Sequence, residues 1–188
     1  MKPKRELGAI NALYPTLTIL VGTMVNGKPN FATIAHVGIM SIENLISISL
    51  SKTCHTNLCI RENATFSVNI PTEVQVKETD YCGIVSGKSV DKAALFKIFY
   101  GTLDTAPMIV ECPINMECRL IKTIEFPKSD VFVGEIVQTY CDEDALEHGG
   151  VDLAKVRPIL FDLNSRSYWS LGEKLAPCWR IGRDLEKR

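Results

Sequence analysis

The chain has 188 residues, with 21 basic and 22 acidic side chains spread along it and a net charge of −1, so it lacks the electrostatic footprint of a nucleic-acid binder. No Pro/Gly/Ser-rich linker or charge block divides it, and the basic ends (Lys2, Lys4, Arg5 and Arg180, Arg183, Lys187, Arg188) read as solvated tails. There is no secretory pattern and no apolar run near 18 residues, so one soluble cytoplasmic domain over 1–188 is expected, with a tail of about ten residues at its C-terminus and no membrane contact.

In chain order, Thr16 to Val25 is rich in Thr, Ile, Leu and Val and reads as a strand. Asn26-Gly27 is a strong hairpin signal into a second strand, Asn30 to Gly38. The next strand, Leu45 to Ser51, alternates strictly: Ile46, Ile48 and Leu50 take one face, and Ser47, Ser49 and Ser51 the other. It runs into Thr53, Thr56 and Asn57 at the start of a short helix, Thr56 to Asn63. Hydroxyls, Lys52 and the unpaired N–H groups of a helix start, so close together, form a phosphate cradle in outline. The plain alternative is a solvated sheet face followed by an ordinary helix cap.

Further strands are predicted at Thr65 to Ile70, Ile114 to Ile124, Val131 to Tyr140 and Pro158 to Leu163, with short helices at Val74 to Cys82 and Val90 to Phe99. Along Ile114 to Ile124, Ile114, Met116, Cys118 and Leu120 alternate with Asn115, Glu117 and Arg119, the pattern of a half-buried antiparallel strand. Many short strands, a few small helices and no βαβ rhythm predict a closed antiparallel barrel with helical insertions.

The dinucleotide-binding, P-loop and nucleophile-elbow glycine motifs are all missing from the sequence. Seven cysteines without a C-x-x-C pair suit reduced thiols. Cys54, His55 and Cys59 could ligate a metal, but no second pair at zinc spacing follows, and only two other histidines exist, His36 and His148.

Tyr14-Pro15, Val21-Gly22-Thr23, Gly27 to Asn30, Ala32-Thr33, Ser49 to Asn57, Phe66 to Pro71, Asp80-x-x-Gly83-x-x-Ser86-Gly87 with Asp91-Lys92, Ala106-Pro107, Glu117-Cys118 and Gly134 to Val137 run through nearly the whole chain. Together they resemble the flavin reductase-like, FMN-binding split-barrel family on its flavoredoxin side. The resemblance implies a mainly β fold, an antiparallel split β-barrel of Greek-key type with short helical insertions. It also implies a homodimer holding FMN near the subunit interface.

By that resemblance Asn30, Ala32 and Thr33 form the strand beside the isoalloxazine ring, where small side chains let main-chain groups approach. Ser49, Leu50 and Ser51 match the next strand, by the flavin and ribityl chain, and Thr53, Thr56 and Asn57 its phosphate end. Lys92, after Ser86-Gly87, matches the family lysine near the cofactor and is expected to open a helix, with Lys88 in a flexible turn. A cation there balances phosphate or reduced flavin. His36 stands where relatives often carry tryptophan, able to stack on the flavin or hydrogen-bond it, or simply to bond backbone. Tyr168 and Trp169 could cover the flavin, or be plain core.

The implied activity is oxidoreduction: hydride from NAD(P)H as co-substrate to bound FMN, and electrons onward to a small-molecule or protein acceptor, with no side chain required as acid or base. The alternative is a non-enzymatic FMN electron carrier reduced by a protein partner.

Overall fold

A computed structural model describes residues 2–185. In chain order its elements are β1 (Thr16–Leu17), β2 (Ile19–Val25), β3 (Lys28–Ile34), β4 (Val37–Ile39), β5 (Leu45–Ser51), α1 (His55–Asn63), β6 (Thr65–Ile70), α2 (Val76–Ile84), β7 (Ile98–Phe99) and β8 (Met108–Ile109). There follow β9 (Ile114–Glu125), β10 (Ser129–Cys141), β11 (Leu146–Glu147), β12 (Gly150–Val151), α3 (Leu153–Val156), β13 (Leu160–Asp162) and β14 (Ser167–Trp169). Asn26 and Gly27 both take positive φ, 50° and 74°, which is the turn that a two-residue link between β2 and β3 demands.

Seven strands form one antiparallel sheet in the order β3-β2-β6-β9-β10-β5-β4. β3 and β4 are its two edges, yet only Ala35 and His36 separate them along the chain. Two linking residues hold the Cα atoms of Ile34 and Val37 within about 11 Å of each other. The sheet must therefore curl until its edges meet. They meet without a strand ladder, and the chain crosses through His36, whose carbonyl accepts from the Ser49 N–H at 2.9 Å and so extends the β4–β5 pairing. This is a split antiparallel barrel, and the split falls beside Thr33 to His36.

Inside the barrel lie Ile19, Val21, Ile46, Ile48, Leu50, Ile60, Phe66, Val68, Cys118 and Phe132, all buried. Burying a side chain of this size stabilises the fold by about 1.5–3 kcal/mol. The apolar face predicted for β5 is here, while Ser47 and Ser49 remain half-buried and Ser51 exposed on the other side.

Outside the barrel, α2 lies on β3, where the Thr33 hydroxyl donates to the Thr79 carbonyl. Residues 96–112 cover the β2–β6–β9 face. They are held there by Asn69, whose Oδ1 accepts from the Ile109 N–H at 2.9 Å and from Asn115 Nδ2 at 2.8 Å, and by Glu117. The Glu117 carboxylate, wholly buried, accepts from the N–H groups of Thr102 (3.0 Å) and Leu103 (2.7 Å) and from the Tyr140 hydroxyl (2.9 Å).

Three sequence expectations are corrected. The helix over Val90 to Phe99 does not form. Lys92 instead precedes a single 3-10 turn, Ala93–Leu95, because Phe96 swings in against the Phe31 ring (centroids 5.6 Å apart) and the Lys97 N–H is taken by the Glu111 carboxylate at 3.0 Å. The strand expected over Thr16 to Val25 breaks at Thr18, whose N–H donates to the Ile159 carbonyl, so β1 pairs with β13 and β2 with the main sheet. The strand expected over Asn30 to Gly38 breaks at Ala35-His36, where the chain passes from one sheet edge to the other. Part of the expected C-terminal tail lies outside the described residues; Trp179, at its start, is exposed. Among the described residues no helix is long and apolar enough to cross a membrane.

Candidate functional site

The split opens into a recess of about 490 Å³ between β3 and its continuation through Ala35-His36, the serine face of β5, the end of α2, and Phe161 and Tyr168 of the small β1–β13–β14 sheet. A second recess of about 260 Å³ adjoins it, between the start of α1 and residues 82–87 beyond α2. Thr33, Cys54, Gly83 and Ile84 line both, so the two form one bent cleft.

The split-side recess takes Thr33, His36, Ser49, Leu50, Ser51 and Tyr168. Leu50 contributes main chain, for its side chain is buried in the core. The exposed His36 ring faces Tyr14, with Nε2 and the Tyr14 hydroxyl 3.0 Å apart. The Tyr168 hydroxyl donates to Asp80 Oδ1 at 3.0 Å. Burial and then the Asp80 carboxylate push its pKa up to about 12, so it stays a neutral donor at ordinary pH. Trp169 points to solvent instead, 56 % exposed.

The helix-side recess takes Ala32, Thr53, Thr56, Ser86 and Lys92. At the head of α1 the Thr53 hydroxyl and the Ser51 hydroxyl are 2.8 Å apart, and no side chain caps the helix. Its first N–H groups have no side-chain partner and face an anion-favouring end. Lys92, 4 % exposed, stands on the opposite wall, where Nζ donates to the carbonyls of Cys82 (3.0 Å) and Val85 (3.3 Å). Burial lowers its pKa, and a bound anion would raise it again. Burial likewise pushes the neighbouring Cys82 thiol up to about 11.

Several residues expected to be free are engaged elsewhere. Lys52 turns away to Asp130 (3.5 Å) and Glu125 (3.7 Å). The Thr56 hydroxyl accepts from Asn30 Nδ2 at 3.0 Å, fastening α1 to β3; Asn30 itself lies beyond the helix-side recess. Asn57 is buried with its amide donating to the Leu50 carbonyl at 3.3 Å, and it lines neither recess.

The structure also brings in Thr18, Asp80, Cys54 and His55, none of which was expected among the cofactor-binding residues. Thr18 Oγ1 and His55 Nδ1 are buried and have no hydrogen-bond partner in the protein. Buried polar atoms are nearly always paired, so two orphans in one cleft fit a polar ligand. Their signal in the sequence was faint: Thr18 sat within an apolar strand, and His55 was weighed only as a metal ligand. Among the described residues no three His, Cys, Asp or Glu side chains are arranged to hold a metal ion.

Residues 11–167 match the flavin reductase like domain. Among solved structures, flavoredoxin from Methanosarcina acetivorans is 40 % identical with a TM-score of 0.93, over 97 % of this chain and 99 % of that one. Flavoredoxin of Desulfovibrio vulgaris (Miyazaki F) is 37 % identical with a TM-score of 0.89, over 96 % of this chain and 100 % of that one. An uncharacterized protein from Archaeoglobus fulgidus is 31 % identical over 146 residues, 75 % of this chain and 80 % of its own length. With the split barrel, the bent cleft and a match running over most of its length, the chain belongs to the flavin reductase-like family.

Proposed function

We propose that the chain binds FMN in the bent cleft, ring in the split-side recess and phosphate in the helix-side one, and works as an NAD(P)H-dependent flavin reductase-like oxidoreductase. The observation that carries this reading is the sequence of surfaces along the cleft. One end offers a broad recess edged by main chain, Thr18 and Tyr168; the other offers two hydroxyls, uncapped helix N–H groups and a buried lysine. A planar ring with a phosphate tail matches that order. When bound, the flavin supplies the redox chemistry, a hydride in and electrons out to a second acceptor. The chain's own part is to hold the ring between β3 and β5, neutralise the phosphate with Lys92, and keep the Tyr168 proton in place.

The test is direct. Purified protein should be yellow, and with FMN loaded it should oxidise NADH or NADPH over many turnovers when given an acceptor. A colourless protein that fails to take up FMN would sink the reading, while bound FMN that a nicotinamide never reduces would favour the electron carrier.

The proposed assembly is a cytoplasmic homodimer. Its support is a groove of about 1000 Å³ along β4 and the 40–46 segment, where Ile39 and Ile42 are 84 % and 105 % exposed. Apolar surface this extensive is the kind that a partner covers. Light scattering should give about twice the 20.9 kDa of one chain. A monomer that still binds FMN would leave the groove unexplained by self-association.

A further inference from the structure

The hydroxyls of Thr18, Thr33, Ser49, Ser51 and Tyr168 line the split-side recess. A hydroxyl has one proton to give and lone pairs to receive with, so what it offers a ligand depends on where its proton already goes. Thr18 Oγ1 has no partner in the protein and can turn either way. Tyr168 is the opposite case. Its O–H donates to Asp80 Oδ1 at 3.0 Å, and an ionised carboxylate can only accept, so the phenol proton is committed to α2. Thr33 also gives its proton away, but to the neutral Thr79 carbonyl. The Tyr168 bond ends on a charge, which strengthens it and leaves the phenol oxygen more electron-rich. The ring is fixed as well. β14 pairs it with Phe161 on β13, centroids 5.9 Å apart, and Phe161 meets the Tyr14 ring edge-on at 6.1 Å. Towards the recess Tyr168 therefore presents an oxygen that accepts and does not donate.

Such an oxygen distinguishes the redox states of a flavin. The oxidised ring system carries a single N–H; a hydride reaching it brings a proton and both electrons together and adds another. We infer that Tyr168, held by Asp80, accepts from the N–H that the flavin gains on reduction, and so binds reduced FMN more tightly than oxidised FMN. The inference rests on the flavin reading of the split-side recess. The two affinities and the reduction potential close one thermodynamic cycle, so a preference for the reduced form raises the potential of bound FMN, by about 30 mV for each tenfold in a two-electron couple. The consequence is functional. A flavin made easier to reduce takes hydride more readily and passes electrons only to acceptors of correspondingly higher potential.

Tyr168→Phe tests it, since it keeps the ring beside Phe161 and removes only the oxygen. Asp80→Asn is its companion: the amide oxygen still accepts from the phenol, so the tie to α2 and the acceptor facing the recess both survive. Fluorescence titration gives the affinity for oxidised FMN, and equilibration with a redox dye of known potential gives the midpoint of the bound flavin. Tyr168→Phe should lower that midpoint by about 30 mV, with reduced FMN losing about tenfold more affinity than oxidised FMN. Asp80→Asn should hold it at or above the parent value, because a negative charge has gone from beside the electron-accepting ring. An unmoved midpoint in Tyr168→Phe, whatever happens to the affinity for oxidised FMN, overturns the inference and leaves Tyr168 as a wall of the recess while the flavin reading stands. A fall of the same size in both variants traces the effect to a loosened cleft and overturns it equally. Absence of FMN binding in the unsubstituted protein would overturn the flavin reading and this inference with it.

Discussion

Two regions of this barrel carry buried polar groups, and they treat them oppositely. Beneath residues 96–112, Glu117, Asn69 and Asn115 are each matched: three donors converge on Glu117, and Asn69 accepts twice and donates to the Leu20 carbonyl at 2.9 Å. Across the molecule, around the split and the head of α1, Thr18 and His55 hold buried atoms with no partner, and α1 begins uncapped. Satisfied polar clusters specify one structure, whereas unsatisfied ones lining a cleft are poised for a ligand. The first region is scaffold and the second is the proposed site, and substitutions in the two should fail in different ways.

The largest effect is expected on the scaffold side. Glu117→Ala takes the acceptor from two half-covered N–H groups and the Tyr140 hydroxyl and empties a wholly buried position, which should cost about 3 kcal/mol in urea denaturation. The same carboxylate gives the pH dependence. Burial alone would raise its pKa, but the Thr102 and Leu103 N–H groups and Tyr140 outweigh burial and hold it below its ordinary value. A depressed carboxylate stabilises the fold fully above its unfolded pKa, about 4.3, and that contribution is lost as pH falls through the folded value. Glu117→Gln should therefore flatten the acid limb of the stability curve. An unchanged acid limb would mean that Glu117 does not drive it.

On the site side Lys92→Met should lower FMN affinity by up to about a hundredfold, since a buried cation facing phosphate has no substitute. Some stability should go too, because the Cys82 and Val85 carbonyls lose their donor. A pH profile separates the two consequences. As the folded Lys92 pKa lies below the usual 10.5, FMN affinity in the parent protein should fall as pH rises through it, and Lys92→Met should lack that fall. Matching profiles in the two proteins would take Lys92 off the phosphate.

A smaller effect is expected at the head of α1. Ser51→Ala/Thr53→Ala removes the two hydroxyls but leaves the helix N–H groups, so the preference for FMN over riboflavin should shrink by about tenfold without vanishing. Equal binding of FMN and riboflavin by the parent protein would remove phosphate from this recess altogether.

The contrast also explains what could be read from the chain beforehand. The serine stripe of β5, the Asn26-Gly27 turn and the alternation of β9 are local patterns, and each led to the right element. The edge-to-edge step at Ala35-His36 is set by seven-strand order, which no window of residues encodes. Residues 90–99 look helical by propensity, but Phe96 gains more by packing on Phe31, and tertiary contact overrides a weak local preference. At the site, residue types pointed to hydroxyls and a lysine. Which of them are already occupied depends on partners that residue type does not reveal: Lys52 turns to Glu125 and Asp130 of β9 and β10, far along the chain, and Asn57 to the Leu50 carbonyl at the end of β5.

The smallest expected effect concerns His36, where the two regions' logic meets in one residue. Its imidazole edges the split-side recess but already has a partner, the Tyr14 hydroxyl, and the rings sit 6.4 Å apart at 51°. An exposed hydrogen bond of this kind is worth about 0.5–1 kcal/mol, so Tyr14→Phe should change FMN affinity by only a few-fold. His36→Ala should do more, about fivefold, because it would also remove an aromatic face from the proposed ring site. His36→Trp, which keeps a face and discards the hydrogen bond, should restore most of that loss. If all three variants bind FMN and accept hydride as the parent does, the Tyr14–His36 pair is scaffold that happens to border the cleft.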